Sequence, residues 1–303
     1  MTWREATRDE IHQFYTQEFP NWIDELPSFI SSDGPKEYAI AFRDSHPIKK
    51  DEAPAREFIR RGTRDEYESR RRGKNFKSFD HIVNFIQRPA RHDPFENSDY
   101  ALVDPDLLDK PDPLPAGVYY SLDHWERSWI ILVDIDAKDI ALERGRRLVS
   151  NDSELSDEEI RSKAGILDAA PEGYPYAFED IEQALEYGFT VRDIFEDDFD
   201  AEETMVVYSG QGCHVYLLDD DRDHQYDTKS REVLVDYLTK RREIPIDSVV
   251  TADRKRVARL PYTLHTDVSR IVQPIESPTF DFRRAPTPEF LSDCSERSME
   301  VSE

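Results

Sequence analysis

Cysteine is nearly absent: the 303 residues hold two, Cys213 and Cys294. Two thiols do not supply the four ligands of a structural zinc site, and they do not indicate a disulfide framework. Lysine is scarce too. The basic residues divide as 29 Arg and 11 Lys against 65 Asp and Glu, for a formal charge of -25. Long apolar runs are missing: the longest, Trp129–Val133, has five residues, far below the roughly 20 of a spanning helix. The opening MTWREATRDE lacks the apolar stretch of a signal peptide. A soluble, cytoplasmic protein without a membrane partner is expected.

Self-repulsion at this charge destabilises a compact state unless concentrated salt screens it, so a halophilic setting is expected. A chain this negative repels nucleic acid, and any such binding has to come from local basic patches. One exists. Residues 56–91 carry 11 basic residues against 5 acidic ones, with Arg60, Arg61, Arg70, Arg71, Arg72 and Lys74 as candidates for contact with a template strand.

The apolar pattern predicts an α/β (α+β) chain with a mixed central sheet flanked by helices. Residues 3–30 read as helical and 37–43 as a strand. The basic segment reads as a helix, a loop near Gly73 and a second helix over 78–87. Five prolines mark 93–117 as a loop. Strands are expected at 118–121, 129–136, 204–208 and 214–218, and helices at 178–195 and 228–242. Residues 137–175 read as an acidic insertion with one helix near 157–167, and short elements follow at 248–251 and 257–260. One domain is expected over 1–287 (helical and basic to 92, loop 93–117, catalytic core 118–275), then a polar tail over 288–303.

Three clusters suggest chemistry. Asp134 and Asp136 end the run WIILV. Alternation along a strand puts both on one face, about 6–7 Å apart. A hard cation with oxygen ligands, Mg²⁺ or Mn²⁺, relieves their repulsion; two solvent-facing aspartates are the plain alternative. The turn Tyr208-Ser209-Gly210-Gln211-Gly212-Cys213-His214 lets backbone N–H groups approach a phosphate, with Ser209 and His214 as donors. A bare hairpin turn explains the same glycines. In IDSVVTADRKRVARLPYTLH, residues 246–265, a carboxylate precedes a cationic stretch suited to a triphosphate, or to a basic strand offsetting acidic surface.

Taken together, the three resemble the small, catalytic subunit of the archaeal and eukaryotic replicative DNA primases. That family has a strand with Asp-x-Asp, a Ser-Gly-x-Gly-x-His turn, and a third Asp before a basic-x-Pro-x-x-Leu/Ile-His ending. Here these are Asp134 and Asp136; Ser209, Gly210, Gly212 and His214; and Asp247 with Arg259, Pro261, Leu264 and His265. The family's third Asp lies 18 residues before the His, and 265 − 247 = 18 selects Asp247 over Asp253. The resemblance covers roughly 118–275. Gln211 stands where the family usually has Arg, and Thr266-Asp267 where it has Lys and Gly or a small residue. The family's zinc knuckle and helical insertion have no counterpart, and no zinc is expected.

The resemblance implies template-directed primer synthesis by two-metal nucleotidyl transfer. Asp134, Asp136 and Asp247 would bind Mg²⁺ or Mn²⁺, and Ser209, Gly210, Gly212, His214, Arg259 and His265 the nucleotide phosphates. Single-stranded DNA and nucleoside triphosphates are the implied partners, with a primase large subunit as a further candidate. A stand-alone primase-polymerase, a non-catalytic primase-like subunit and an unrelated metal-dependent nuclease stay open as alternatives.

The charge makes one prediction. The thermal unfolding midpoint, followed by circular dichroism, rises steadily as KCl is raised from dilute to molar concentrations; a midpoint that falls with salt contradicts the halophilic reading.

Overall fold

The computed structural model describes residues 3–31, 38–43, 57–61, 114–121, 130–149, 155–219, 226–253, 257–284, 288 and 291. In chain order these begin with helix α1 (Arg8–Gln13), a π turn (Phe14–Glu18), a 3-10 turn (Phe19–Glu25) and α2 (Ser28–Ser31). Strands β1 (Tyr38–Arg43), β2 (Glu57–Arg61), β3 (Leu114–Ser121) and β4 (Ile131–Asp136) follow. Next come helices α3 (Ala137–Leu148), α4 (Asp157–Lys163), α5 (Ile166–Ala169) and α6 (Phe178–Phe199), then β5 (Thr204–Tyr208) and β6 (Gly212–Leu217). Helix α7 (Thr228–Asp236) runs into a second π turn (Tyr237–Arg241), and α8 (Ser248–Ala252) follows. The short strands β7 (Val257–Arg259), β8 (Leu264–His265), β9 (Arg270–Ile271) and β10 (Gln273–Ile275) close the series.

The chain divides into two compact units, the first formed by Met1–His124, Val257–Val272 and Arg283–Glu303. Its entry is set by a capping box. Thr7 accepts from the Glu10 N–H, and the Glu10 carboxylate accepts from the Thr7 N–H at 2.7 Å, so two orphan donors of α1 are satisfied. The Arg4 guanidinium also bonds Glu10 and holds its pKa down to about 2. Tyr15 packs edge-on against both Phe14 and Phe19 in the core, where its hydroxyl accepts from the Leu264 N–H at 3.3 Å. Four strands form an antiparallel sheet in the order β2-β1-β3-β7.

The second unit is Trp125–Arg256 with Gln273–Phe282. Its sheet runs β10-β5-β6-β4, again antiparallel throughout. Strand β6 lies between two partners and is buried at every residue, as a run of Cys, Val, Tyr and Leu requires. Helix α6 packs on β5 and β6. Gly188 makes that approach close: a Cβ there would overlap the Cys213 sulfur. Helix α3 packs on α6, where Arg144 reaches the buried Asp180 at 2.8 Å while Asp180 also accepts from the Ala177 N–H.

The α+β class stands as expected, but among the described residues the pairing is antiparallel in two four-stranded sheets and one two-stranded one, not a single mixed sheet. Strand β5 keeps its predicted bounds, and α6 runs on to Phe199. The N-terminal helix is shorter and broken, because Thr7 starts it and Pro20 enters a 3-10 turn. Residues 57–61 form a strand where a helix was predicted, and 114–117 begin β3 inside the predicted loop. Helix α3 occupies the start of the predicted acidic insertion, since Ile140, Ala141 and Leu142 supply a buried face among its charges. Residues 248–252 are helical. The predicted helix at 78–87 and the polar tail fall outside the described residues, apart from Pro288 and Leu291.

Gly212 lies tight against β4: a Cβ there would sit inside the Ile135 carbonyl oxygen. Gly212→Ala is expected to lower stability by about 2–4 kcal/mol in denaturant titrations at constant KCl. Gly173→Ala, where nothing lies within 4 Å of the added Cβ but φ is +86°, is expected to cost only about 1 kcal/mol.

Candidate active site

Asp134, Asp136, His214 and Asp247 gather around the end of β4. Strand register sets Asp134 opposite His214 and Asp136 opposite Gly212. The Asp134 carbonyl accepts from the Asp247 N–H at 2.8 Å, so it points away from β6. Asp134 and His214 therefore face each other as a non-hydrogen-bonded pair, the kind whose side chains stand closest. His214 Nε2 lies 3.5 Å from Asp134 Oδ1, with the side chains 9% and 15% exposed. Ile135, between the two aspartates, points into the core and is fully buried.

Asp136 ends the strand and is the N-cap residue of α3, yet its carboxylate makes no capping bond. The first helical N–H, that of Ala137, donates to the Gln211 carbonyl at 3.0 Å. That leaves the Asp136 carboxylate beside the positive end of the α3 dipole, which favours its charge. The Lys138 ammonium bonds Asp136 and lies 3.7 Å from Asp139. Lys138 was not among the predicted residues; its signal was the sequence DIDAKD, in which the strand-to-helix turn folds a cation back onto the strand end.

Asp247 comes to this place by its backbone bond to Asp134. Its side chain caps α8: Oδ1 accepts from the Val249 and Val250 N–H groups, both at 2.9 Å. A carboxylate has a second oxygen for another partner. Three hard oxygen donors on β4 and the cap are the right chemistry for Mg²⁺ or Mn²⁺. As they stand, however, no three His, Cys, Asp or Glu side chains among the described residues are grouped closely enough to hold one ion.

The glycine turn has a structural account of its own. Gly210 adopts φ +103°, open to glycine and strained for other residues, and Gly212 is fixed by its approach to β4. The Ser209 N–H donates to the Gly212 carbonyl at 3.0 Å, closing the turn, and the Tyr208 hydroxyl donates to the Gly210 carbonyl at 2.8 Å. Ser209 is buried at 5% exposure. Behind the turn, Cys213 donates its thiol to the Ala184 carbonyl, and burial, with the Asp134 charge second, pushes its pKa up.

Arg259 and His265 belong to the first unit. The Arg259 guanidinium lies 4.8 Å from the centre of the Tyr119 ring, and an added Cβ on Gly117 would come 2.6 Å from Arg259 Nη1. His265 is buried on β8, opposite Arg270 on β9. Of the template candidates, Arg60 and Arg61 lie on β2, an end strand of its sheet. Arg70, Arg71, Arg72 and Lys74 lie outside the described residues.

An open cleft of about 640 Å³ opens beside α3 and the 239–246 segment. Arg146, Arg147 and Lys240 in its lining are matched in number by Asp139, Glu143 and Glu243, so it offers an anion no net attraction. No helix among the described residues is long and apolar enough to cross a membrane.

No protein-family model matches the chain. Over 100 residues the chain is 37% identical to a protein of Archaeoglobus fulgidus named an uncharacterized DNA primase small subunit-like protein. The matched stretch is 32% of this chain and 34% of that protein, so the chain spans about a third of the length of the relative it matches.

The two tasks of Asp247 are separable. Asp247→Ala is expected to cost about 1 kcal/mol in denaturant titrations through loss of the α8 cap, whereas Asp247→Ser keeps a capping oxygen and stays within a few tenths of the parent. Equal losses in both would show that the cap contributes nothing.

Proposed function

We propose that this chain is a primase-like nucleotidyltransferase that makes short primers on a single-stranded DNA template from nucleoside triphosphates. The observation that carries the reading is the convergence of the three motif segments of the second unit on the end of β4: Asp134 and Asp136 on the strand, His214 opposite Asp134, and Asp247 bonded to the Asp134 backbone. The similarity to a primase small subunit-like protein supports the same class.

In this reading Asp134, Asp136 and Asp247 hold Mg²⁺ or Mn²⁺. When bound, the metals would supply Lewis acidity to the attacking 3′-hydroxyl and charge neutralisation to the leaving pyrophosphate. The chain's own part is to hold its groups in place. The β4–β6 ladder fixes the Asp134 carboxylate, which has little freedom at 15% exposure. His214 presents a ring N–H beside it, and Ser209 and the Gly210–Gly212 backbone are assigned to phosphate oxygens. Lys138 holds Asp136 in an ion pair and would have to yield it to a metal. Arg259 and His265 are assigned to the triphosphate by motif rather than by position. The basic segment around Arg60 and Arg61 is assigned to the template.

A second reading, a primase-like subunit that does not catalyse, is favoured by the Lys138–Asp136 pair and by the open spacing of the three carboxylates. Strand synthesis separates the two. In concentrated KCl with Mg²⁺ or Mn²⁺, the purified protein is expected to make or extend strands on single-stranded DNA. Asp134→Ala and Asp247→Ser are expected to reduce this roughly a thousandfold or more, since each removes an oxygen assigned to the metals. Synthesis that survives either substitution rules out the mechanism, and degradation of the template alone points to a nuclease. Co-purification with a larger subunit would place the protein in a replicative complex rather than acting alone.

A further inference from the structure

His214 is held from two sides. Its Nε2 lies 3.5 Å from Asp134 Oδ1, and its Nδ1 lies 3.2 Å from the hydroxyl oxygen of Tyr216. Tyr216 is two residues along β6 and so on the same face of the strand. The two rings meet nearly at right angles, with centroids 6.1 Å apart and an interplanar angle of 82°. Tyr216 is completely buried. A buried phenol hydroxyl costs free energy unless it is hydrogen-bonded, and phenylalanine would fill nearly the same space without that cost. The hydroxyl is therefore a feature to be explained, and none of the motifs accounts for it.

A neutral imidazole carries one N–H and one lone pair. With the hydrogen on Nδ1, the Nε2 lone pair would point at a carboxylate oxygen in a nearly dry setting, where repulsion is strong. With the hydrogen on Nε2, that edge attracts Asp134, and Nδ1 becomes an acceptor that needs a donor. The Tyr216 hydroxyl lies at the right distance to be that donor. Which ring nitrogen carries hydrogen is set by the bond the other one makes.

We propose that Tyr216 is a positioning residue: its hydroxyl donates to Nδ1 of His214 and holds the ring as the Nε2–H tautomer, keeping a donor edge beside Asp134. The use of that edge rests on the function proposed above. In nucleotidyl transfer an N–H next to the carboxylate can take a phosphate oxygen, whereas a lone pair there repels both phosphate and carboxylate. The tautomer itself does not depend on that reading.

The test begins with two-bond ¹H–¹⁵N spectra of protein labelled with ¹⁵N in the histidine rings, with His214→Gln used to assign the His214 signals. In the parent protein, at neutral pH and high KCl, Nε2 is expected in the protonated-nitrogen range and Nδ1 in the bare-nitrogen range. A proton on Nδ1 overturns the proposal, whatever any variant does. In Tyr216→Phe the two nitrogen shifts are expected to move toward each other as the tautomers mix; an unchanged pattern also overturns it. With dATP and Mg²⁺, Tyr216→Phe is expected to raise the KM for nucleotide roughly threefold to tenfold, the worth of one hydrogen bond, with kcat little changed. A parent protein with the Nε2–H tautomer but no strand synthesis would sink the primase reading and leave the positioning role standing. Synthesis by a parent protein whose His214 is Nδ1–H would do the reverse.

Discussion

Strand β4 uses both of its edges, and the site depends on that. On one edge it pairs with β6 from Ile131 to Asp136; on the other its Asp134 carbonyl takes the Asp247 N–H. Because backbone groups of a strand alternate in direction, the residue whose carbonyl reaches Asp247 must be one whose side chain stands close to its cross-strand neighbour. One hydrogen-bonding pattern therefore brings Asp247 to the site and presses His214 against Asp134. A one-residue slip would turn both aspartates inward and Ile135 outward. Gly212 fixes the register at the end of the ladder, since no side chain fits against the Ile135 carbonyl.

The same economy governs charge. In a chain of net charge -25, carboxylates are cheap and cations scarce, so where the cations are spent is informative. Lys138 is spent on Asp136, and Arg144 on the buried Asp180. The Asp134 carboxylate lies beside the His214 ring. Asp247 is met by two backbone N–H groups. The three carboxylates of the motif thus stand beside three different kinds of group. Asp136 is paired with a cation, while Asp247 keeps an oxygen beyond its cap.

The glycine turn shows how structural and chemical roles overlap. Gly210 and Gly212 are each explained by backbone geometry alone, so their presence does not by itself argue for a phosphate. What the turn does for the site is indirect. It delivers the Gln211 carbonyl to the first N–H of α3, a donor that an N-cap side chain, which reaches the second or third helical N–H, does not serve.

Much was legible in the sequence because it depends on short-range rules. Strand alternation put Asp134 and Asp136 on one face, and Thr7-x-x-Glu10 and Ser156-x-x-Glu159 are capping boxes written in the chain. Asp247 was singled out by the resemblance, through its 18-residue spacing to His265. The pairing of His214 with Tyr216 was also within reach, since it needs only a period of two. Only the tertiary structure decided the rest. Helix α3 was hidden among charges until its buried face met α6. Lys138 was one basic residue among 40 until the strand-to-helix turn folded it onto Asp136. Asp247 was a motif position until its N–H found the Asp134 carbonyl, 113 residues earlier in the chain. Sequence fixes what a residue can donate or accept; which partner it meets across such a separation is set by strand register and packing, which no local pattern encodes.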